Sequence, residues 1–527
     1  MKRTLVVTIG VALLLTACGG DDDGSSGADD GQPTASAELL TTAIGFDIDT
    51  LDPAAQVTTN VMQLLKMGVE TFTMMEPDGA IVPSLATEWT TSEDGLSWDF
   101  TLRDDVTFQD GEPFNAEAAK FNFERVLSPD TFKAAPNVLT VIESAEVVDE
   151  YTLRLNLKNP FAPLPAALSF PVSGMISPAS ATVAPNTIQQ IQNPVGSGPY
   201  TIANWSKGQE ISMERNEDYW GEAPAYATQV FKVVPEASSR EALLRSGGAD
   251  VIAAPPASSL PALDADSSTQ VVWADTSYVI QLVFNTSSES QPLLQDPVVR
   301  QALNYAIDRD ALIENVLFGA GKTLEGPLPA NVFGSCTMES PYNYDPDKAK
   351  DLLAAAGATG MKLTVVSPNG RYVQDYQAAE AVVGQLDAVG IDAELGASTD
   401  WPTYLSTLYV PATEAQNEAS LLGWGTLYGD ASQALLQMRN DYLPPDGLNA
   451  TYWDSAEFTA LVDEGNSVID EGECTAAYCE AQKLVYEAAP VIWLYQLVSP
   501  IVTTDDVTDV NGLPNLMFET TWATPSS

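Results

Sequence analysis

The sequence predicts a mixed chain of short strands and helices, organised as two or three domains behind an N-terminal export segment. Three observations carry that prediction. Of the 527 residues, roughly 490 follow the leader and tether, enough for large cores and more than one domain. Strand-like alternation and helical stretches follow one another from Ala43 onward, punctuated by Gly, Pro, Asp and Asn turns. Lys2 and Arg3 stand before an apolar run from Leu5 to Leu15, which is how a secretory signal peptide reads.

The apolar run is broken by Thr8 and Gly10 and falls short of the roughly 20 apolar residues that a membrane span needs. Leu15-Thr16-Ala17-Cys18 ends it and resembles the bacterial lipobox, in which a signal peptidase cuts before the cysteine and the thiol takes a lipid. The alternative is an ordinary secretory signal, residues 1–17, with a cysteine there by chance. Residues 18–37 consist largely of Gly, Asp and Ser without apolar periodicity, and read as an acidic flexible tether with a reach of about 25 Å. The folded body starts near Glu38, and no later segment has 18 consecutive apolar residues.

Ala43 to Phe46 is β-prone. Leu51-Asp52-Pro53 is a turn opening a helix from Val57 to Met67, with Asp52 able to cap it and Pro53 placed where its missing N–H costs nothing. Ser97 to Leu102 alternates, with Trp98, Phe100 and Leu102 on one face, and is a strand. A helix follows over Ala116–Leu127, then a strand pair around Val147–Leu155. The most informative stretch runs from Asn193 to Gly221. Gly196, Gly198 and Pro199 break the chain sharply, and Tyr200–Trp205 and Gln209–Glu214 form a hairpin about Ser206-Lys207-Gly208. Tyr219 and Trp220 then form an aromatic loop too large to leave bare. On local physics alone this is a packed structural corner.

The formal charge is −49 and the chain has no histidine. A surface this acidic repels nucleic acid and anionic lipid and draws in amines; adaptation to a salty or acidic exterior is the plainer account of it. Without histidine there is no Ser-His-Asp or Cys-His catalysis and no histidine-containing zinc or nickel site. Gly321-Lys322-Thr323 mimics a phosphate-binding loop, but Val316 stands where that loop needs glycine. No G-x-S-x-G occurs, and nothing singles out a carboxylate pair for hydrolysis. Metal and cofactor are therefore both expected to be none. Beyond Cys18 the cysteines are Cys336, Cys474 and Cys479, an odd number. Cys474 and Cys479 can pair if Cys474 precedes its helix, since positions i and i+5 inside a helix are too far apart.

Taken together, Leu51-Asp52-Pro53, Leu85-Ala86-Thr87-Glu88-Trp89, the run from Phe100 to Phe114, Gly196-Ser197-Gly198-Pro199-Tyr200, Glu214-Arg215-Asn216 through Trp220, and Val298 through Asp308 resemble, in that order, the signatures of the family 5 extracellular solute-binding proteins. Tyr344 through Leu353 matches a later signature, and Ser197 stands where threonine is usual. The resemblance covers essentially everything after the tether. It implies two α/β lobes of the periplasmic-binding-protein type, with an extra subdomain inserted in the first and a ligand cleft between them. Lobe I would comprise 38–71, 195–283 and 497–522, the insertion 72–194 and lobe II 284–496, with crossings near Phe284-Asn285 and Gln496. It further implies a monomeric receptor that catalyses nothing, anchored through Cys18 on the outer face of the cell membrane, which passes a peptide or similar solute to an ABC permease. An oligosaccharide, opine or chelated metal is the alternative cargo on the same fold.

The same resemblance singles out Leu421 through Asp430, where the dipeptide-binding branch uses an aspartate to hold the ligand's α-ammonium. A carboxylate suits that role, because charge-assisted hydrogen bonds are strong out of water. Asp430 with Gln433 is also a capping pair for a helix Ala431–Met438, and Ala431 replaces the usual proline. Arg371 and Tyr372 are similar to the pair that holds a peptide's carboxylate and backbone; the local alternative is an exposed arginine pairing with Asp375. Gly429, Tyr428 and Trp424, together with Trp401, would wall the site or else belong to the core, and Thr58 and Thr59 would face it from lobe I.

Overall fold

The computed structural model describes residues 37–56, 59–127, 139–180 and 193–526. Cys18, Val57 and Thr58 lie outside the described residues. An 11-stranded mixed sheet organises the fold. From one edge it runs through Asp392–Leu395, Lys362–Val366, Ala419–Trp424, Thr269–Phe284, Val491–Thr504, Val251–Ala253, Ala37–Ile44, Tyr226–Val233, Glu210–Arg215 and Tyr200–Ser206, and the eleventh strand, Gly321–Lys322, pairs with Val491–Thr504 off that path.

The two long central strands give the molecule its two lobes. Val491-Ile492-Trp493-Leu494-Tyr495 is a continuous apolar run, the pattern of a strand covered on both faces, and it is buried throughout. Its partner Thr269–Phe284 pairs with residues 498–504 at one end and, on its other side, with Ala419–Trp424 at the far end. The register slips between Asp275 and Val279, where Thr276 donates to the Leu497 carbonyl (2.7 Å) and accepts on its own carbonyl from Gln496 (2.7 Å). At the end of that strand Phe284 N–H donates to Pro490 O and Asn285 N–H to Glu418 O.

The inserted region carries its own four-stranded sheet, in the order Ala86–Thr91, Ser97–Leu102, Thr152–Leu157 and Ile142–Asp149, with the helix Ala116–Leu127 against it. The alternation read over Ser97–Leu102 puts Trp98, Phe100 and Leu102 in its core. Each such aromatic or aliphatic side chain contributes on the order of 1.5–3 kcal/mol when fully buried.

Sequence cues set most helix starts. Asp296, Asp308, Asp345 and Ser455 each accept a backbone N–H at the head of a helix. Asp52 departs from its expected role. It accepts from Ala54 N–H (3.1 Å) inside the turn and ion-pairs with Arg125 of the inserted helix, while the following helix runs over Thr59–Gly68. The cysteine pairing is also corrected. Asp470 caps the helix Glu471–Ala488 through Gly472 and Glu473, so Cys474 already lies inside it. Five residues on, Cys479 points about 140° around the helix from Cys474. Cys479 instead bonds Cys336, 143 residues away, with Cα atoms 5.4 Å apart, and Cys474 is a buried free thiol.

Candidate functional site

The corner at Asn193–Gly221 is built around one carboxylate that the sequence reading missed. Gly196 and Gly198 pass so close to the end of the helix Thr59–Gly68 that a Cβ at 196 would lie 2.0 Å from the Gly68 carbonyl oxygen. That approach brings Ser197 Oγ to Glu70 (2.7 Å), and Tyr219 Oη (2.9 Å) and Trp220 Nε1 (2.8 Å) donate to the same carboxylate. The Arg103 guanidinium covers the Trp220 ring at 4.1 Å. Burial pushes the Glu70 carboxyl above its ordinary value, and the three donors pull it back. The clue in the sequence was the donor set: Ser197, Tyr219 and Trp220 together require an acceptor.

Asp430 lies in the loop after the strand Ala419–Trp424. That strand is parallel to its neighbour Lys362–Val366, which leads to Arg371. Both candidate charges thus leave the carboxyl ends of adjacent parallel strands, the usual position for a ligand crevice in open α/β sheets. The loop is tied to the central strand and to the C-terminal segment: Ser277 Oγ lies 2.7 Å from the Thr426 carbonyl and 3.0 Å from that of Pro514, and Asn515 donates to Leu427 O (3.0 Å). Gly429 takes a φ of +76°, a region that side chains disfavour, and lets the chain turn into Asp430.

Asp430 is 4% exposed. One carboxylate oxygen accepts from Ser432 N–H (2.7 Å), which caps the four-residue helix Ala431–Ala434. The expected capping pair does not form. Gln433 accepts from Leu427 N–H and the Thr426 hydroxyl, and the Asp430 N–H goes to Thr426 Oγ1. Phe333 brackets the aspartate from the other side, with Phe333 N–H to Gly429 O (2.8 Å) and Ala431 N–H to Phe333 O (3.0 Å). Burial pushes the Asp430 carboxyl up to about 6, and its charge adds to the burial that pushes the Cys474 thiol up to about 11.

Asp430 lines a cavity of about 270 Å³. Lobe II supplies Phe333, Ile469, Glu471 and Cys474 to it, and the inserted region supplies Ile81, Trp89, Trp98 and the Ala162–Ala166 segment. The two sides meet at the Ala162 N–H to Asn466 O bond (2.8 Å).

The other expected residues fall around this cavity rather than in it. Tyr428 is buried in the inserted core, its hydroxyl 3.2 Å from Ser432 Oγ. Trp424 donates to Ala434 O (3.1 Å) and lines a separate space of about 20 Å³. Arg371 is exposed, with its guanidinium 5.1 Å from the Trp401 ring and 5.4 Å from the Tyr372 ring, and Tyr372 donates to Gly423 O (3.3 Å). The alternative pairing of Arg371 with Asp375 is replaced by a backbone cradle: the Asp375 carboxylate accepts from the N–H groups of Gly370, Arg371 and Tyr372. Thr59 opens its helix partly buried, outside the cavity lining.

Two lobes joined by paired strands, an inserted subdomain and a cavity beside a buried carboxylate define a solute receptor of the two-lobed α/β class. A family model described as bacterial extracellular solute-binding proteins, family 5 Middle, matches residues 80–442, and the chain belongs to that family. It is 27% identical over 473 residues to the glutathione-binding protein of Salmonella typhi, covering 89% of this chain and 91% of that one. It is also 27% identical over 479 residues to the probable D,D-dipeptide-binding periplasmic protein of Escherichia coli, covering 87% and 88%. The structure of an ABC transporter-associated periplasmic binding protein from Helicobacter pylori in complex with a peptide superposes with a TM-score of 0.75 at 25% identity, covering 92% of this chain and 99% of that one. The chain is accordingly a substrate-binding protein of the ABC-importer class, in a family of extracellular binding proteins. Among the described residues no helix is long and apolar enough to cross a membrane.

Proposed function

We propose that the chain is a lipid-anchored receptor that captures a peptide, or a similar small polar solute bearing a protonated amine, and delivers it to an ABC permease without chemical change. Cys18 carries the lipid, and the chain acts as a monomer. Capture proceeds by lobe closure about the strands Thr269–Phe284 and Val491–Thr504; a ligand that touches both lobes favours the closed form. The observation that carries this reading is Asp430, a buried carboxylate on a cavity wall with no basic side chain among the cavity's lining residues. An ammonium group there gains charge-assisted hydrogen bonds to a carboxylate that is itself almost out of contact with solvent. The peptide-binding relatives support the ligand class.

Thermal unfolding of the full chain in detergent, against di- to pentapeptides, sugars and chelated metals, tests it. At 100-fold over its dissociation constant, a peptide that binds the native state alone adds about 2.7 kcal/mol of stability. The shift should vanish in Asp430→Ala. Stabilisation by sugars or metal chelates alone contradicts the peptide assignment.

A further inference from the structure

The inserted region contributes one whole wall of the Asp430 cavity, and that wall is apolar. Ile81, Trp89, Trp98 and the two prolines of the Ala162–Ala166 segment face a lobe II wall on which Phe333 and Ile469 are 39% and 45% exposed. Large apolar side chains left this bare at a cavity mouth are uncovered surface that a ligand can bury. Charge along the cavity has one sign. Asp430 is buried, Glu471 is exposed in the first turn of its helix, and neither Lys nor Arg lines the space. One donor is also spare: the buried Trp98 indole N–H has no hydrogen-bond partner. The volume, about 270 Å³, lies near the lower end of the range for small-molecule pockets, about 300–1,000 Å³.

We infer that the inserted subdomain selects the ligand. Its Ile81–Trp89–Trp98 wall takes an apolar side group carried next to the protonated amine, and Glu471 at the mouth turns away a carboxylate at that end. This rests on the peptide-receptor reading above and specifies it further: the preferred cargo begins with an apolar residue bearing a free amino group, and its acidic end lies outside this cavity. The two lobes would serve closure, while discrimination among cargoes sits on the insertion.

Calorimetric titration of the full chain in detergent with Leu-Gly-Gly, Gly-Gly-Gly, Asp-Gly-Gly and N-acetyl-Leu-Gly-Gly tests it. Burying the leucine side chain should make Leu-Gly-Gly bind about tenfold or more tightly than Gly-Gly-Gly. Asp-Gly-Gly and the acetylated peptide should be weaker than Gly-Gly-Gly. Trp89→Ala should reduce the leucine preference to less than about threefold, and Glu471→Gln should narrow the gap between Gly-Gly-Gly and Asp-Gly-Gly. A Trp89 with only a structural role would weaken all peptides alike. Equal affinities for leucine and glycine peptides, with Asp430→Ala still abolishing both, overturn this inference and leave the receptor reading standing. Failure of every free-amino peptide to bind overturns both.

Discussion

Glu70 and Asp430 are carboxylates withdrawn from water at two corners of the same molecule, and they differ in what surrounds them. Glu70 receives a hydroxyl from Ser197, another from Tyr219 and an indole N–H from Trp220, with Arg103 close by. Asp430, more deeply buried, receives the Ser432 N–H in a short helix cap and faces an acidic cavity. Burial raises both carboxyl groups. The donors that offset this cost at Glu70 come from the protein itself. At Asp430 the Ser432 hydroxyl and Tyr478 also pull the carboxyl down, but this carboxylate lines a cavity, where a ligand's ammonium can reach it. A buried carboxylate packed among its donors is a structural part; one that also lines a cavity is placed to bind.

The largest effect that tests this contrast lies on the structural side. Glu70→Ala strands three donors and should cost about 3–5 kcal/mol of stability in urea unfolding, since each unsatisfied buried group costs about 1–3 kcal/mol. A loss below about 1 kcal/mol would show that the corner does not depend on its acceptor. Next comes the Cys336–Cys479 link, which joins the Phe333 segment to the helix bearing Glu471 and Cys474. Replacing both cysteines by serine should cost about 2–4 kcal/mol. It should also weaken peptide binding, because Phe333 brackets Asp430 through its backbone. Unchanged affinity in the folded double variant would show that Asp430 is positioned by its own loop.

The smallest stability effect has the opposite sign. A carboxyl at about 6 in the folded chain, against an ordinary 3.8, binds its proton more tightly folded than unfolded. Stability from this group is greatest below about pH 4 and is lost as pH rises past about 6. At neutral pH the charged Asp430 therefore destabilises the ligand-free protein, by up to about 3 kcal/mol at 1.36 kcal/mol per pH unit. Asp430→Asn keeps an oxygen for Ser432 and removes the charge, so it should raise the ligand-free melting temperature at pH 7. Ligand affinity runs the other way with pH: an ammonium needs the ionised carboxylate, so wild-type binding should weaken as pH falls through about 6.

Much of the fold was legible because it rests on local chemistry. The hairpin about Ser206-Lys207-Gly208 and the helix Ala116–Leu127 each follow from residues within a few positions of one another. What was misread depends on distant partners. Asp52 looked like a helix cap until Arg125, 73 residues on, claimed it. Cys474 and Cys479 are neighbours in sequence but on different faces of one helix, and Cys336 comes from another part of lobe II. Asp430 was identified through resemblance, and the capping alternative proved half right: Ser432 is capped, while Gln433 is engaged elsewhere. The cavity itself was not legible, because Ile81, Trp89 and Trp98 read as ordinary members of an inserted core and meet Asp430 only through the tertiary fold.

The central claim is that Asp430 is held for a ligand rather than for the helix it caps. Titrating wild type and Asp430→Asn with a single free-amino tripeptide at pH 7, beside their ligand-free melting curves, tests it most directly. The account predicts that Asp430→Asn melts higher and loses at least about 100-fold in affinity, as expected for a charge-assisted ammonium contact removed from a site shielded from water. A variant that melts lower and binds the peptide as tightly as wild type would contradict it, and would leave Asp430 as a helix cap alone.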